Sequence, residues 1–108
     1  MRVYISGPIT GHEDTADERF KRARAAVLNA FGIDTEIIDP YRVGLAISAH
    51  AKLTDEEWMS ISFAEMALCD AVYFMPGWSE SVGCKKEMIE ALLKKKDILE
   101  LEVKGYEL

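Results

Sequence analysis

The chain has 108 residues, 49% of them hydrophobic and 30% charged, which predicts one domain spanning residues 1–108. Nineteen acidic against thirteen basic residues give a net charge of −6, and this charge disfavours a nucleic-acid partner. No apolar run approaches the ~20 residues that span a bilayer, and the first residues lack the apolar core of a signal peptide. We therefore expect a cytoplasmic protein with neither membrane nor nucleic acid as a partner.

The two cysteines and two histidines carry no metal signal. Cys69 and Cys84 form no CxxC pair, and neither has a histidine at zinc-ligand spacing. We expect both thiols to be free and buried, as in a reducing compartment. His12 and His50 are interpreted as solvated or hydrogen-bonded side chains. The sequence therefore predicts neither a metal nor another cofactor.

The first third of the chain predicts a strand, a tight loop and a long helix. β-Branched residues favour a strand at Arg2–Ser6, and two glycines and a proline mark the loop Ser6–Gly11. A helix follows, with Thr15 or Asp17 as its N-cap and Gly32 at its end. Its predicted buried stripe consists of Phe20, Ala23, Val27, Ala30 and Phe31.

A second strand is predicted at Thr35–Ile38 and ends at Asp39. Pro40 disfavours helical backbone at Asp39 and is expected to open a polar loop through Tyr41 and Arg42. The segment Val43–Lys52 is ambiguous and is compatible with one or two helical turns.

The second half of the chain predicts helix, strand, helix and strand. Thr54 and Glu57 form a capping box for a helix that runs to about Leu68. The apolar segment Ala71–Met75 is typical of a central parallel strand. A helix capped by Ser79 or Ser81 is expected next, with Met88, Ala91 and Leu92 buried. It carries Lys94, Lys95 and Lys96 at its C-terminal end, where the helix dipole favours positive charge. The last predicted element is a strand at Ile98–Val103.

Strands that alternate with helices at this spacing predict right-handed βαβ units, hence an α/β domain with a small, doubly wound parallel sheet. Ligands of such sheets bind at the carboxyl ends of the strands. Here those ends are the loops Ser6–Gly11, Asp39–Arg42 and Pro76–Ser81. Asp39 is therefore included among the candidate substrate-binding residues.

Two of these loops have chemistry of their own. The glycines of the first loop suit an anion such as phosphate, although a plain strand–helix turn is the alternative, since neither GxGxxG nor a P-loop occurs. In the third loop, Ser81 is placed to cap a helix and hold a phosphate. Gly83 costs that helix roughly 1 kcal/mol relative to alanine, which indicates a close approach to its backbone. Glu87, about two turns into the helix, is either functional or a solvent-facing glutamate.

Three segments resemble the nucleoside 2-deoxyribosyltransferase superfamily. They are Tyr4–Gly11, then Cys69-Asp70-Ala71-Val72, then Gly77-Trp78 with Ser81, Gly83 and Glu87, in this order over nearly the whole chain. The chain is most similar to short phage and bacterial relatives, and also to the deoxynucleoside 5′-monophosphate N-glycosidases. The resemblance implies a Rossmann-like (flavodoxin-like) three-layer fold.

The resemblance also implies roles for individual residues. Glu87 matches the nucleophile that attacks the sugar C1′, and Tyr4 matches the tyrosine that orients this carboxylate. Ser81 matches the phosphate-binding serine of the monophosphate-hydrolysing branch. Asp70 matches a structural aspartate. The remaining substrate-binding positions, on the first and third loops, are Ser6, Gly7, Pro8, Gly11, Gly77, Trp78 and Gly83.

This sequence departs from the family at one position. The family usually has an aspartate eight residues before the position of Asp70, and this aspartate helps to protonate the departing base. Here the position holds Ser62. Glu65, one helical turn further on, is the nearest carboxylate and is the candidate replacement.

The resemblance implies N-glycosidic cleavage or base exchange on a nucleoside or nucleoside 5′-monophosphate, with no cofactor. Two alternatives stay open: a nucleotide-binding module of the same fold without turnover, and a hydrolase of another N-ribosyl compound such as NAD. A receiver-like signalling domain is disfavoured, because the third strand does not end in a phospho-acceptor aspartate. Relatives of this kind form homodimers or larger homo-oligomers. Apolar residues that can serve such an interface or the core are Leu45, Ile47, Trp58, Ile61 and Phe63.

Overall fold

The computed structural model describes residues 1–99 of the chain. Its elements alternate between strands and helices, as the sequence predicts. In chain order they are β1 (Arg2–Ser6), α1 (Glu13–Phe31), β2 (Glu36–Ile38), α2 (Pro40–Ser48), α3 (Asp55–Ala67), β3 (Ala71–Phe74), a 3₁₀ turn (Trp78–Glu80), α4 (Val82–Leu93) and β4 (Asp97–Leu99). The last predicted strand thus begins at Asp97, and its predicted portion after residue 99 lies outside the described residues.

The four strands form one parallel sheet in the order β2-β1-β3-β4. Tyr4 of β1 lies beside Ile38 on one side and Val72 on the other. This arrangement confirms the predicted α/β class, a small three-layer Rossmann-like fold with β3 in the interior of the sheet. The chain proceeds outward from β1 in one direction and from β3 in the other, so the topological switch point lies between the carboxyl ends of these two strands.

Alternating side chains of β1 and β3 divide the core between the two faces of the sheet. Val3 and Ile5 pack with α1, whereas Tyr4 lies on the opposite face with α3 and α4. The core residues on the α1 side are Val3, Ile5, Phe20, Ala23, Val27, Ala71, Tyr73 and Met75. Those on the other side are Tyr4, Met66, Cys69, Val72, Phe74 and Ala91.

Helix α1 differs from its prediction at both ends. It begins after His12, which makes no side-chain cap, so the prediction of Thr15 or Asp17 as N-cap is wrong. Its end at Gly32 is confirmed. The buried stripe reaches back to Ala16, but Ala30 and Phe31 of the predicted stripe are exposed. At 1.5 Å per residue the helix is longer than the five-residue strand beside it, so its last turn extends past the sheet.

Helix α2 replaces the predicted polar loop. The Asp39 side chain accepts hydrogen bonds from the backbone N–H groups of Tyr41 and Arg42 and so caps the helix, while Pro40 occupies its first turn. Proline is favoured there because a first-turn residue needs no intrahelical N–H partner. The Asp39-Pro40 pair therefore begins a helix.

The caps of α3 and α4 agree with those predicted from the sequence. Thr54 and Glu57 form the predicted capping box, with the Thr54 Oγ1 accepting from the Glu57 N–H at 3.1 Å and the Glu57 carboxylate accepting from the Thr54 N–H at 2.9 Å. Ser81 caps α4 through its Oγ, which accepts from the Cys84 N–H at 3.2 Å. Leu92 is predicted to be buried, but it is 61% exposed, because Ala91 is the residue that packs in the core in the last turn of α4.

Several predictions about exposure can be checked directly. Cys69 and Cys84 are buried and free, as expected. Within residues 1–99, no helix is long and apolar enough to cross a membrane, and no group of three or more His, Cys, Asp or Glu side chains is placed to hold a metal. The five apolar residues left open between core and interface are all at least partly accessible: Leu45, Ile47, Trp58, Ile61 and Phe63.

Candidate functional site

Glu87 lies at the centre of a polar cluster at the carboxyl end of the sheet. It belongs to the second turn of α4, whose direction is set by the Ser81 cap, and it is only 6% exposed. A buried carboxylate is costly unless donors surround it. The alternative of a solvent-facing glutamate is therefore wrong, and Glu87 needs hydrogen-bond donors inside the protein.

Two hydroxyl groups of β1 provide those partners. The Tyr4 hydroxyl donates to Oε2 of Glu87 at 2.5 Å, and the Ser6 Oγ donates to Oε1 at 2.7 Å. Tyr4 and Ser6 are two residues apart, so the strand period places both side chains on the face that α4 covers. Both are buried. The strand thus holds the carboxylate at both of its oxygens.

Ser62 of α3 completes the set of hydroxyls around Glu87. Its hydroxyl lies near both the Tyr4 hydroxyl and the Glu87 carboxylate, and it lowers the pKa of each of these groups. Burial raises the pKa of Glu87, and the hydrogen bonds from Tyr4, Ser6 and Ser62 oppose this shift. Burial, followed by the charge of Glu87, raises the pKa of Tyr4 well above its usual value, so this phenol stays a proton donor to the carboxylate.

Glu65 stands one helical turn after Ser62, on the same side of α3. Its Oε2 is buried and has no hydrogen-bond partner among residues 1–99. Burial, with added repulsion from Glu87 and then Asp39, raises the pKa of Glu65 to about 7. The cluster therefore contains two carboxyl groups in different surroundings, one held by hydroxyl donors and one left without a partner at Oε2.

Asp39 makes only internal contacts among those described. Its Oδ1 accepts from the N–H groups of Tyr41 and Arg42, and its Oδ2 accepts from the Arg24 guanidinium at 2.8 Å. The residue is 7% exposed. Asp39 thus joins α1 to the start of α2, and its role in substrate binding stays a prediction.

The first loop is packed closely against the end of β3. A Cβ atom on Gly7 would lie 2.1 Å from the Met75 Sδ, which explains glycine at this position from the chain's own packing. Gly11 has a φ of 83°, in the left-handed region that favours glycine. Pro8 is buried, and its carbonyl accepts from Arg19 of α1 at 3.4 Å. The loop is therefore built by internal contacts around Ser6.

The third loop turns at Gly77, whose φ of 87° is also left-handed. Trp78 follows and packs on Phe74 with a centroid separation of 5.4 Å. Gly83 differs from Gly7, because a Cβ there would meet nothing closer than the Met59 Sδ at 3.8 Å. A Cβ on Gly83 would thus be in ordinary van der Waals contact with Met59 and the Ser81 hydroxyl, so the chain's own packing does not require glycine at this position.

The structure brings five of these side chains together: Tyr4, Ser6, Ser62, Glu65 and Glu87. Asp70 lies elsewhere, at the amino edge of the sheet, where its carboxylate accepts from the Arg2 N–H at 2.9 Å, in keeping with a structural role. Sequence reasoning treated Ser62 only as the place of a missing acid. The one-turn spacing on a capped helix, which already made Glu65 the candidate acid, is the signal that could have placed the Ser62 hydroxyl at the site as well.

Two surface cavities lie beside α4, and neither is lined by the cluster. One, of about 690 Å³, lies between α3 and α4 over Met59, Phe63 and Ile89. The other, of about 300 Å³, is lined by Met66, Ala67, Glu90, Lys94 and Lys96. Neither reaches Glu87, so we assign the site from the chemistry of the cluster at the switch point.

The fold and the cluster define a small parallel α/β domain with a buried, hydroxyl-bound carboxylate at its switch point. Residues 1–100 match the family described as a domain of unknown function, DUF4406, and the chain belongs to that family. No curated protein and no solved structure matches the chain. The resemblance to nucleoside deoxyribosyltransferases therefore stays a prediction.

Proposed function

We propose that the protein cleaves or exchanges the N-glycosidic bond of a nucleoside or nucleoside 5′-monophosphate through a glycosyl ester on Glu87. The observation that supports this most is the pair of hydrogen bonds from Tyr4 and Ser6 to the two oxygens of a buried Glu87. They hold one carboxylate in one orientation, as attack on a sugar carbon requires.

The chemistry follows from a carboxylate in this setting. As the bond from C1′ to the base nitrogen breaks, positive charge develops on the sugar, and the Glu87 carboxylate stabilises it and then bonds to C1′. Water that attacks the ester completes hydrolysis, and a second base completes exchange. In this proposal Ser81, the N-cap of α4, and the first turn of that helix bind the 5′-phosphate, since a helix N-terminus favours an anion.

A purely structural role explains Glu87 less well. Replacing a buried ionic group by apolar side chains of similar volume is often neutral or stabilising. Fold stability alone therefore gives no reason for a carboxyl group that needs the hydroxyls of Tyr4, Ser6 and Ser62 to offset its burial.

The first experiment measures free base released from nucleosides, their 5′-monophosphates and NAD by chromatography. Wild type is compared with Glu87→Gln and with Glu90→Gln, a matched substitution on the same helix outside the cluster. We expect release by wild type and Glu90→Gln and none by Glu87→Gln. A 2′-fluorinated substrate should leave a sugar adduct on wild type, visible as an increase in intact mass, and none on Glu87→Gln. Base release that survives in Glu87→Gln contradicts the proposal.

The second candidate function is a nucleotide-binding module without turnover. Ser62 at the position of the usual acid, together with the 6% exposure of Glu87, favours it. Calorimetry distinguishes the two functions, because tight nucleotide binding with no base release supports the module. Activity confined to NAD in the same panel supports the other alternative, hydrolysis of a different N-ribosyl compound.

The proposed partners are a small-molecule substrate and a second copy of the chain, in the cytoplasm and without nucleic acid. Helix α2 has no fully buried residue, and Leu45 on it is 53% exposed. Trp58 and Ile61 of α3 are also partly accessible, so the two helices leave apolar surface for a dimer. Sedimentation velocity tests this proposal, and a monomer for wild type at working concentration contradicts it.

A further inference from the structure

Departure of the base needs a proton donor, and the Ser62 hydroxyl does not act as one. A serine hydroxyl hardly ionises in water, whereas the departing base must receive a full proton. The Ser62 hydroxyl also lies near the Tyr4 hydroxyl and the Glu87 carboxylate, where it favours the charged form of Glu87. Another group on the same side of α3 has to carry the proton, and Glu65 is the carboxyl group there.

Hydrogen bonding favours the charged form of Glu87 over that of Glu65, in opposition to the deeper burial of Glu87. Tyr4 and Ser6 both donate to Glu87, and Ser62 adds a further contact, so the charged form of Glu87 is stabilised. Within the described part of the chain, the buried Oε2 of Glu65 has no such donor. Because two neighbouring carboxyl groups do not both ionise readily, the one with fewer donors keeps the proton.

The charged groups around Glu65 act in the same direction. Glu87 faces it from α4 and Asp39 from the end of β2, and both favour the protonated form. Asp39 is itself paired with Arg24 of α1. The phenol of Tyr4 on β1 and the Cys69 thiol after α3 also lie within electrostatic reach of Glu65, and both are held neutral by burial. A pKa of about 7 for Glu65 agrees with this arrangement.

We infer that Glu65 donates the proton to the departing base, an inference that rests on the proposed function of Glu87. The bond from C1′ to nitrogen breaks, its electron pair goes to the base, and the Glu65 proton moves to a basic atom of that heterocycle. Glu87 forms the new bond to C1′. In the second step water attacks C1′ and gives its proton to Glu65, and the Glu87 carboxylate is released.

This assignment defines the class of substrate. A neutral heterocyclic base is a poor leaving group until it is protonated, so the site takes N-glycosides whose base accepts a proton. A base that already carries positive charge, such as an N7-methylated purine, leaves without this help. The dependence of rate on the leaving group therefore reports on Glu65 separately from Glu87.

The experiment compares a purine nucleoside or monophosphate with its N7-methylated counterpart. For Glu65→Gln we expect release of the neutral base to fall roughly 10²–10⁴-fold, while release of the methylated base changes by no more than a few fold. Glu65→Asp should recover part of the lost rate. Glu56→Gln, an exposed carboxyl change on the same helix, is the control and should behave as wild type.

The pH profile gives a second readout. Wild-type release of the neutral base should decline as the pH rises above about 7, where Glu65 loses its proton, and the residual release by Glu65→Gln should lack this decline. An equal loss on both substrates in Glu65→Gln, with a folded circular dichroism spectrum, overturns the role of Glu65 and leaves the proposed function of Glu87 standing. If Glu87→Gln retains wild-type release of both bases, or wild type releases neither, the proposed function and this inference fail together.

Discussion

Removal of the Glu65 charge should stabilise the protein at neutral and alkaline pH. The pKa of this carboxyl rises from 4.5 to about 7 in the folded protein. For an acid with a raised folded-state pKa, the unfolded chain ionises first, so ionisation destabilises the fold as the pH rises from 4.5 to about 7. Glu65→Gln removes this effect, and the variant should gain stability over the same interval.

The size of the gain follows from the shift and from exposure. A pKa difference of about 2.5 corresponds to about 3 kcal/mol. Glu65 is only partly buried, and solvent screening reduces this value to about 1–2 kcal/mol. The free energy of unfolding of Glu65→Gln should therefore equal that of wild type at pH 4 and exceed it by about 1–2 kcal/mol at pH 8.

Urea denaturation followed by circular dichroism, at several pH values from 4 to 8.5, measures this difference. Glu56→Gln is the matched control on the exposed side of the same helix, and its difference from wild type should show no comparable rise over this interval. If the curves for Glu65→Gln and wild type stay parallel from pH 4 to pH 8, the Glu65 carboxyl is not held in a destabilising environment. The reasoning about the cluster would then be refuted at its electrostatic step.

Three further predictions concern the strand and the two loops around Glu87. Tyr4→Phe removes a hydrogen-bond donor to the Glu87 carboxylate and should therefore raise the pKa of Glu87. The fall in base release toward acid pH should then begin at a higher pH than in wild type. Near neutral pH, base release should be lower than that of wild type by roughly 10–100-fold. An unchanged pH–rate profile would show that this phenol does not support the carboxylate. Gly7→Ala forces a methyl group onto the buried Met75 side chain and should cost roughly 1–3 kcal/mol of stability, measured by urea denaturation, and a stability equal to wild type would contradict the packing described here. Gly83→Ala meets no close neighbour and should stabilise α4 by up to about 1 kcal/mol in the same assay, while weakening nucleotide binding in calorimetry; undiminished binding would remove Gly83 from the site.

Local signals account for the parts of the fold that the sequence predicts correctly. The capping box at Thr54 and the cap at Ser81 depend on residues within three positions of each other, and the apolar run of β3 needs no partner to be recognised. The start of helix α2 was missed because Asp39-Pro40 is compatible with two structures. The pair can open a turn, or it can begin a helix that Asp39 caps. The hydrogen bonds that the Asp39 side chain accepts from the N–H groups of Tyr41 and Arg42 show that it begins a helix.

The candidate site was less accessible to sequence reasoning. Glu87 and Tyr4 are 83 positions apart, and no periodicity or spacing connects them, so their pairing came from the resemblance alone. The contacts of Ser62 were missed because its residue type was read only as the loss of an acid. The raised pKa of Glu65 depends on burial between α3 and the end of the sheet, which composition does not reveal.

Helix α3 is stabilised more by contacts of its first turn than by burial along the rest of its length. The capping box secures the first turn, whereas Met66 is its one fully buried residue among those described. Substitutions on the side of α3 that faces Glu87 therefore disturb few core contacts, while β1 is buried at four of its five positions. During divergence, such a helix lets the groups that face Glu87 change while the strand that holds this carboxylate stays the same.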